Sequence, residues 1–222
     1  MVSTAVLMID VQNMYLAEDG VREALGWPPI WRLEETVAEC AALLSAARAQ
    51  GVPVIYSRAV PSFAGPPGSN PRFAALAQHR PIPQTDEAGE EWKQQIMDAV
   101  APEPGDIVLD KTRPSFFEYT ELEPLLGNLG VRRLIVAGLQ TNVCVEATTR
   151  SALAHNFEVG IPTDAVSTDG PALHEAALNS MRVLYAEVAP WRELLAEGAA
   201  WDRAFTTPNY GRDPSYWSEA AR

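Results

Sequence analysis

The sequence predicts an α/β fold: one domain in three layers, α/β/α, on a six-stranded, mainly parallel sheet. Two observations carry this. Short apolar runs alternate with stretches of helical periodicity as far as Pro190, and no internal repeat or linker divides the 222 residues. Such a length suits a single α/β domain and allows a sizeable core. Strand–helix–strand alternation implies right-handed crossovers and a sheet covered on both faces.

The elements follow in order. Thr4–Asp10 (TAVLMID) is a buried strand by length and composition. Trp31–Gly51 reads as an amphipathic helix, with Leu33, Val37, Cys40 and Leu44 on one face and Gly51 as its stop. Val52–Arg58 is the second strand. Residues 59–88 are rich in Pro and Gly, and a loop of that length is often functional. Glu90–Val100 is a short helix and Asp106–Lys111 the third strand. Thr120 is placed to cap a helix over Glu121–Leu129, with Glu123 at its third position. Val131–Leu139 is the fourth strand, Thr141–Asn156 the helix after it, and Glu158–Val166 the fifth strand. Pro171–Leu184 is a helix with Pro at its start, and Ala186–Pro190 the sixth strand. The tail, 191–222, holds aromatics without a clear period.

Composition narrows the partners. The chain has 17 Lys+Arg against 29 Asp+Glu, net −12, so phosphate backbones and anionic membrane surfaces repel it. An apolar share of 47% is globular rather than disordered. No apolar run approaches the ~20 residues that span a bilayer, and the N-terminal stretch lacks the marks of a secretory signal. Two cysteines, Cys40 and Cys144, make no disulfide framework. The expectation is a cytoplasmic enzyme with reduced thiols.

In parallel α/β sheets ligands bind beyond the C-terminal strand ends. Asp10, Lys111 and the segment leading to Cys144 all stand at such ends. GLQTNVC runs from a strand into a helix, so Cys144 falls in the first helical turn. There unpaired N–H groups and the positive end of the dipole favour a thiolate, and can hold an oxyanion. The competing reading is a buried structural cysteine, which is the one that fits Cys40. Lys111 either snorkels to solvent or stabilises a neighbouring sulfur anion. Asp10 either caps the next turn or moves the thiol proton, and Gln12, Asn13 and Tyr15 follow it at once. His155 lies on the same helix eleven residues past Cys144, about 16 Å along it. Neither His155, His79 nor His174 is marked as a base. No zinc-type Cys/His spacing, phosphate loop or serine elbow is present.

Three segments in order, LMIDVQN, KTRPSFF and VAGLQTNVCVEATTRSALAHNFEV with PTDAVST behind it, resemble the isochorismatase-like cysteine hydrolases. The resemblance spans Ala5–Gln12, Asp106–Phe117 and Val131–Ala165, and weakens in 59–88 and after Trp191. It implies a Rossmann-like hydrolase fold with Asp10 as general base and acid, Lys111 as cationic partner and Cys144 as nucleophile. It further implies a cis bond between Leu139 and Gln140, aiming the Gln140 N–H and the Cys144 N–H at the oxyanion. Family members that bind a metal carry an Asp-x-His pair after the second strand. Here that region reads YSRAVPSF, so no metal and no cofactor are expected. True isochorismatases lack the cysteine, so Cys144 points to the amidase branch.

The expected reaction is cleavage of a C–N bond in a small amide or ureido substrate through a thioester. Tyr15, Phe116, Phe117 and Trp27 are candidate apolar walls, with core packing as the competing role of the phenylalanines. Arg58 and Arg113 are candidates for a substrate carboxylate, with structural ion pairs as the alternative. Two rival functions are a vinyl ether hydrolase using Asp10 and water, and a non-catalytic thiol sensor on the same scaffold. The resemblance also implies a homodimer or homotetramer.

Overall fold

A computed structural model describes residues 3–16, 22, 26–60, 86–196, 199 and 201. Most of the 59–88 loop and most of the 191–222 tail lie outside the described residues. Strand β1, Thr4–Ile9, is central: it pairs in parallel with β2, Val54–Ala59, on one side and with β4, Arg133–Leu139, on the other. Beyond β2 lies β3, Ile107–Lys111; beyond β4 lie β5, Glu158–Pro162, and β7, Glu187–Ala189. The order is β3-β2-β1-β4-β5-β7, and a two-residue strand β6, Val166–Ser167, also pairs with β4. Every pairing between these strands is parallel.

The sheet expected to have six strands therefore has seven, because the run Glu158–Val166 is not one strand. It breaks after Pro162, which has no N–H for a ladder. The Ala165 N–H turns back to the Pro162 carbonyl at 3.2 Å, and the Ala165 carbonyl takes the Gly138 N–H at 2.8 Å.

β1 reads as an unbroken apolar run because both its faces are buried. Ala5, Leu7 and Ile9 face one core with Leu122, Leu126, Ala152, Leu178 and Met181. Val6 and Met8 face the other with Cys40, Leu43, Leu44, Ala47 and Leu194. The first core is covered by α3, Leu122–Asn128, α4, Glu146–Ala154, and α5, Pro171–Leu184. The second is covered by α1, Leu33–Ala49, and α6, Trp191–Leu194. The three-layer expectation holds.

Two helix expectations need correction. Glu90–Val100 is not continuous: α2 runs Glu87–Gln94, with Asp86 capping it through Gly89 N–H at 2.9 Å, and a separate 3-10 turn covers Asp98–Val100. Helix α3 starts after Glu121, not on a Thr120 cap; Thr120 Oγ1 accepts weakly from Leu122 N–H at 3.3 Å and donates to the Phe116 carbonyl at 2.5 Å.

The chain leaves β1 for β2 and reaches β4 on its opposite side, so strand order reverses between β1 and β4. In sheets of this kind the ligand site lies at the C-terminal rim of that reversal. Gly138 makes the approach possible: a Cβ at this position would stand 2.2 Å from the Ile9 carbonyl oxygen. Its φ of +107° is one that side-chain-bearing residues rarely adopt.

Candidate active site

β1, β3 and β4 end on this rim, and each delivers one reactive group. Asp10 follows β1 in the left-handed conformation, φ 48°, which costs an L-residue roughly 1–2 kcal/mol. Ser57, level with Ile9 on β2, clamps it twice. Ser57 Oγ accepts the Asp10 N–H at 3.1 Å and donates to Asp10 Oδ1 at 2.6 Å. That leaves Oδ2, which lies 2.8 Å from Lys111 Nζ yet has no hydrogen bond of good direction. The two form a buried ion pair.

Lys111, only 3% exposed, ends β3 and does not snorkel to solvent. Its Nζ reaches past β2 to Asp10, donates to the Arg113 carbonyl at 2.9 Å and sits 3.4 Å from Cys144 Sγ. Burial works against its charge, but the Asp10 carboxylate, with contact to the Cys144 sulfur, outweighs it and holds the ammonium above the ordinary lysine range.

Cys144 lies in the turn between β4 and α4. The turn, Thr141–Val145, is a π-type turn rather than an α-helical one. The Gln140 carbonyl accepts from Val143 N–H at 3.0 Å and Val145 N–H at 3.2 Å, bypassing Cys144. The Leu139–Gln140 bond is cis. Thr141 Oγ1 lies 3.0 Å from Nδ1 of the buried His174, which ties the turn to α5.

At Cys144 burial and charge oppose the effect of the helix terminus: burial, then the Asp10 charge, push the thiol pKa up to about 12, against the pull of Lys111. Desolvation disfavours any isolated anion, and one carboxylate beside one ammonium leaves no net positive charge to stabilise a second anion. The resting site is thus an Asp10–Lys111 ion pair beside a neutral thiol.

The other candidate residues divide. Tyr15, in a 3-10 turn over Asn13–Tyr15, is electrostatically coupled to Cys144 and Asp10. Burial, then Cys144 and Asp10, push its phenol well above the ordinary range, so it stays protonated and can donate. Gln12 and Asn13 are structural. The Gln12 amide mimics a strand, accepting from Ala59 N–H at 2.8 Å and donating to the Ala59 and Gln94 carbonyls at 3.0 and 2.8 Å. Asn13 Nδ2 donates to the Trp92 carbonyl at 3.2 Å.

Phe116 is no substrate wall: it is fully buried in the core, its N–H held by Thr148 Oγ1 at 3.0 Å. Phe117 stacks on His155 at 5.1 Å. Arg58 is engaged by Asp110 at 2.6 Å, an exposed pair beside the β3 edge. Arg113 offers the site its carbonyl; its guanidinium bonds Thr112 and lies over the Tyr119 ring at 5.0 Å. Trp27 is partly exposed, beside Arg22 at 5.9 Å.

Several contributors carried no sequence signal strong enough to single them out. Ser57 is one, although a hydroxyl within a buried run is a mild anomaly. Asp169 is another: it pairs with Arg22 and accepts from Gln140 Nε2 at 2.5 Å. Thr168 Oγ1 joins them by donating to Asn142 Oδ1 at 2.5 Å. Among the described residues no group of three or more His, Cys, Asp or Glu side chains is arranged to hold a metal ion.

Comparison with known proteins gives a consistent picture. The isochorismatase domain model matches residues 4–193. Ureidoacrylate amidohydrolase RutB of Methylobacterium radiotolerans is 33% identical over 217 residues, covering 93% of this chain and 81% of the relative. RutB of Agrobacterium fabrum is 35% identical over 177 residues, covering 76% and 77%. Among solved structures, a cysteine hydrolase from Pseudomonas syringae pv. phaseolicola aligns with TM-score 0.71 at 26% identity, over 86% of this chain and 90% of that one.

Proposed function

The chain belongs to the isochorismatase family, and we propose that within it this protein is a cysteine-dependent amidohydrolase. It cleaves a C–N bond of a small amide or ureido substrate through a thioester. The observation that carries the reading is the meeting of three side chains: Lys111 Nζ lies 2.8 Å from Asp10 Oδ2 and 3.4 Å from Cys144 Sγ. The similarity to ureidoacrylate amidohydrolases points to ureido acids as the substrate class.

In this mechanism Asp10 takes the Cys144 proton only as the substrate binds, because the thiol is neutral at rest. Expulsion of water strengthens the pull of Lys111 on the forming thiolate. The sulfur attacks the carbonyl carbon, and the N–H groups of Gln140 and Cys144 hold the resulting oxyanion. Asp10 returns the proton to the departing nitrogen, the C–N bond breaks and an acyl group remains on sulfur. Water then gives a proton to Asp10 and attacks the thioester carbon; the C–S bond breaks and the sulfur recovers its proton. Lys111 stays charged throughout. No step calls on a metal or cofactor.

The reading extends to the whole chain as one domain, working in the cytoplasm as a homodimer or homotetramer on a small-molecule substrate. Two free thiols suit a reducing compartment. No helix among the described residues is long and apolar enough to cross a membrane.

The test is ammonia release from a panel of ureido acids, neutral amides and biuret-type compounds, followed by intact mass of the enzyme under turnover. An acyl adduct on the wild type that Cys144→Ala lacks is the expected result. Full turnover by Cys144→Ala would favour the vinyl ether or water-only route. Reversible oxidation of Cys144 with no turnover across the panel would favour a sensor.

A further inference from the structure

A ureido acid brings a carboxylate that must meet a cation, and among the described residues three cations at or just past the ends of β2 and β3 already have partners. Lys111 is held by Asp10, Arg58 by Asp110, and Arg113 lies over Tyr119. Arg22 differs. Its guanidinium lies 5.9 Å from the Tyr15 ring centre and 5.9 Å from that of Trp27. Tyr15 in turn feels the charges of Cys144, Asp10, Arg22 and Asp169. Arg22 therefore stands beside the aromatic that borders the nucleophile.

Its hold is one-sided. Nε and Nη2 donate to the Pro28 carbonyl at 2.9 and 2.6 Å, and Nη2 also pairs with Asp169 Oδ1. Nη1 makes no hydrogen bond among the described residues, and it is the edge of the fork assigned below to the ligand. The same Asp169 oxygen accepts from the Gln140 amide at 2.5 Å. Arg22 is thus anchored to the residue whose backbone opens the Cys144 turn. A guanidinium pre-set in this way loses little freedom on taking a carboxylate.

We propose that Arg22 is the specificity residue of this enzyme. Through Nη1 it binds the carboxylate of a ureido acid whose carbonyl lies at Cys144, and Asp169 is its positioning counter-ion. The inference rests on the amidohydrolase reading.

The experiment compares a ureido acid with its neutral amide analogue on wild type, Arg22→Gln, Arg22→Lys and Asp169→Asn, each first shown to be folded by thermal melting. Arg22→Gln is expected to raise KM for the ureido acid about 10- to 100-fold more than KM for the neutral analogue. Arg22→Lys should recover part of that discrimination. Asp169→Asn keeps an acceptor for Arg22 and Gln140 but removes the competing charge, so it should lower KM for the acid relative to the amide. Equal changes for both substrates in Arg22→Gln would make Arg22 merely structural and overturn the proposal, while the amidohydrolase reading stands. So would a wild type that takes only the neutral analogue. A wild type that hydrolyses neither would bring down the amidohydrolase reading, and the proposal with it.

Discussion

The two cysteines of this chain sit on opposite sides of one sheet, and their comparison isolates what makes a thiol reactive here. Cys40 lies inside α1, fully buried against β4, its Sγ donating to the Ala165 carbonyl at 3.3 Å. Cys144 lies where β4 gives way to helix, packed on the edge of the other core. Burial raises both thiols, Cys40 beyond the usual range and Cys144 to about 12. An unusually acidic resting thiol is therefore not what separates them. The difference lies in the neighbours: Cys144 has an ammonium at 3.4 Å that itself holds a carboxylate at 2.8 Å, whereas Cys40 has a carbonyl that can only accept. In the proposed mechanism a proton leaves Cys144 for Asp10 and comes back; among the described residues Cys40 hydrogen-bonds only a carbonyl, which cannot take one.

The largest expected contrast follows directly. Cys144→Ala should lower kcat by about 10³-fold or more, read as ammonia release. Cys40→Ala should leave kcat near wild type and lower stability by about 1 kcal/mol in a denaturant titration, the effect of a small cavity. Comparable losses of kcat in both would erase the distinction.

Lys111→Ala comes next. It strands the Asp10 carboxylate in a nearly closed site, and removing one partner of a buried pair typically costs about 3–5 kcal/mol. Chemical denaturation of Lys111→Ala beside Asp10→Asn/Lys111→Met should recover much of that loss in the double variant, with neither protein active. A single variant as stable as wild type would contradict the burial of the pair.

Ser57→Ala sharpens the comparison at its proton acceptor. Asp10 Oδ1 loses its donor, at about 1–3 kcal/mol, so kcat should fall roughly 10- to 100-fold. No loss would mean that Asp10 is positioned without Ser57.

The smallest effect concerns pH. With the folded Cys144 at about 12, the unfolded chain releases this proton first as pH rises past the ordinary thiol value of 9.0. Stability from this group is therefore complete below pH 9 and declines between there and about 12. Alkylation of the substrate-free enzyme by a neutral reagent should keep accelerating beyond pH 9. A plateau near neutrality at Cys144 would restore the resting thiolate that the structure argues against.

Much of this protein was legible in local sequence. Continuous apolar runs of five to seven residues announced buried parallel strands, because a strand covered on both faces has no polar side to show. The rule that ligands gather beyond strand C-termini then brought Asp10, Lys111 and Cys144 to one rim. The fifth strand is shorter than its sequence suggests because Val166 reads as a continuation of the run, whereas Pro162 ends the ladder and the polar Thr163 and Asp164 turn the chain. Phe116 shows the opposite limit: an aromatic two places past a polar turn reads equally well as pocket or core, and only packing against Thr148 and its neighbours decides.

What the sequence determined by itself was the parallel three-layer scaffold and the placing of Asp10, Lys111 and Cys144 on one rim, since both depend on periodicity and on strand ends. Tertiary structure alone decided the burial that raises the Cys144 thiol, the clamp of Ser57 on Asp10, and the line from Arg22 through Asp169 to Gln140. Each of these depends on distances between residues far apart in the chain. Charge interactions and desolvation follow three-dimensional separation, which spacing along the polypeptide does not encode.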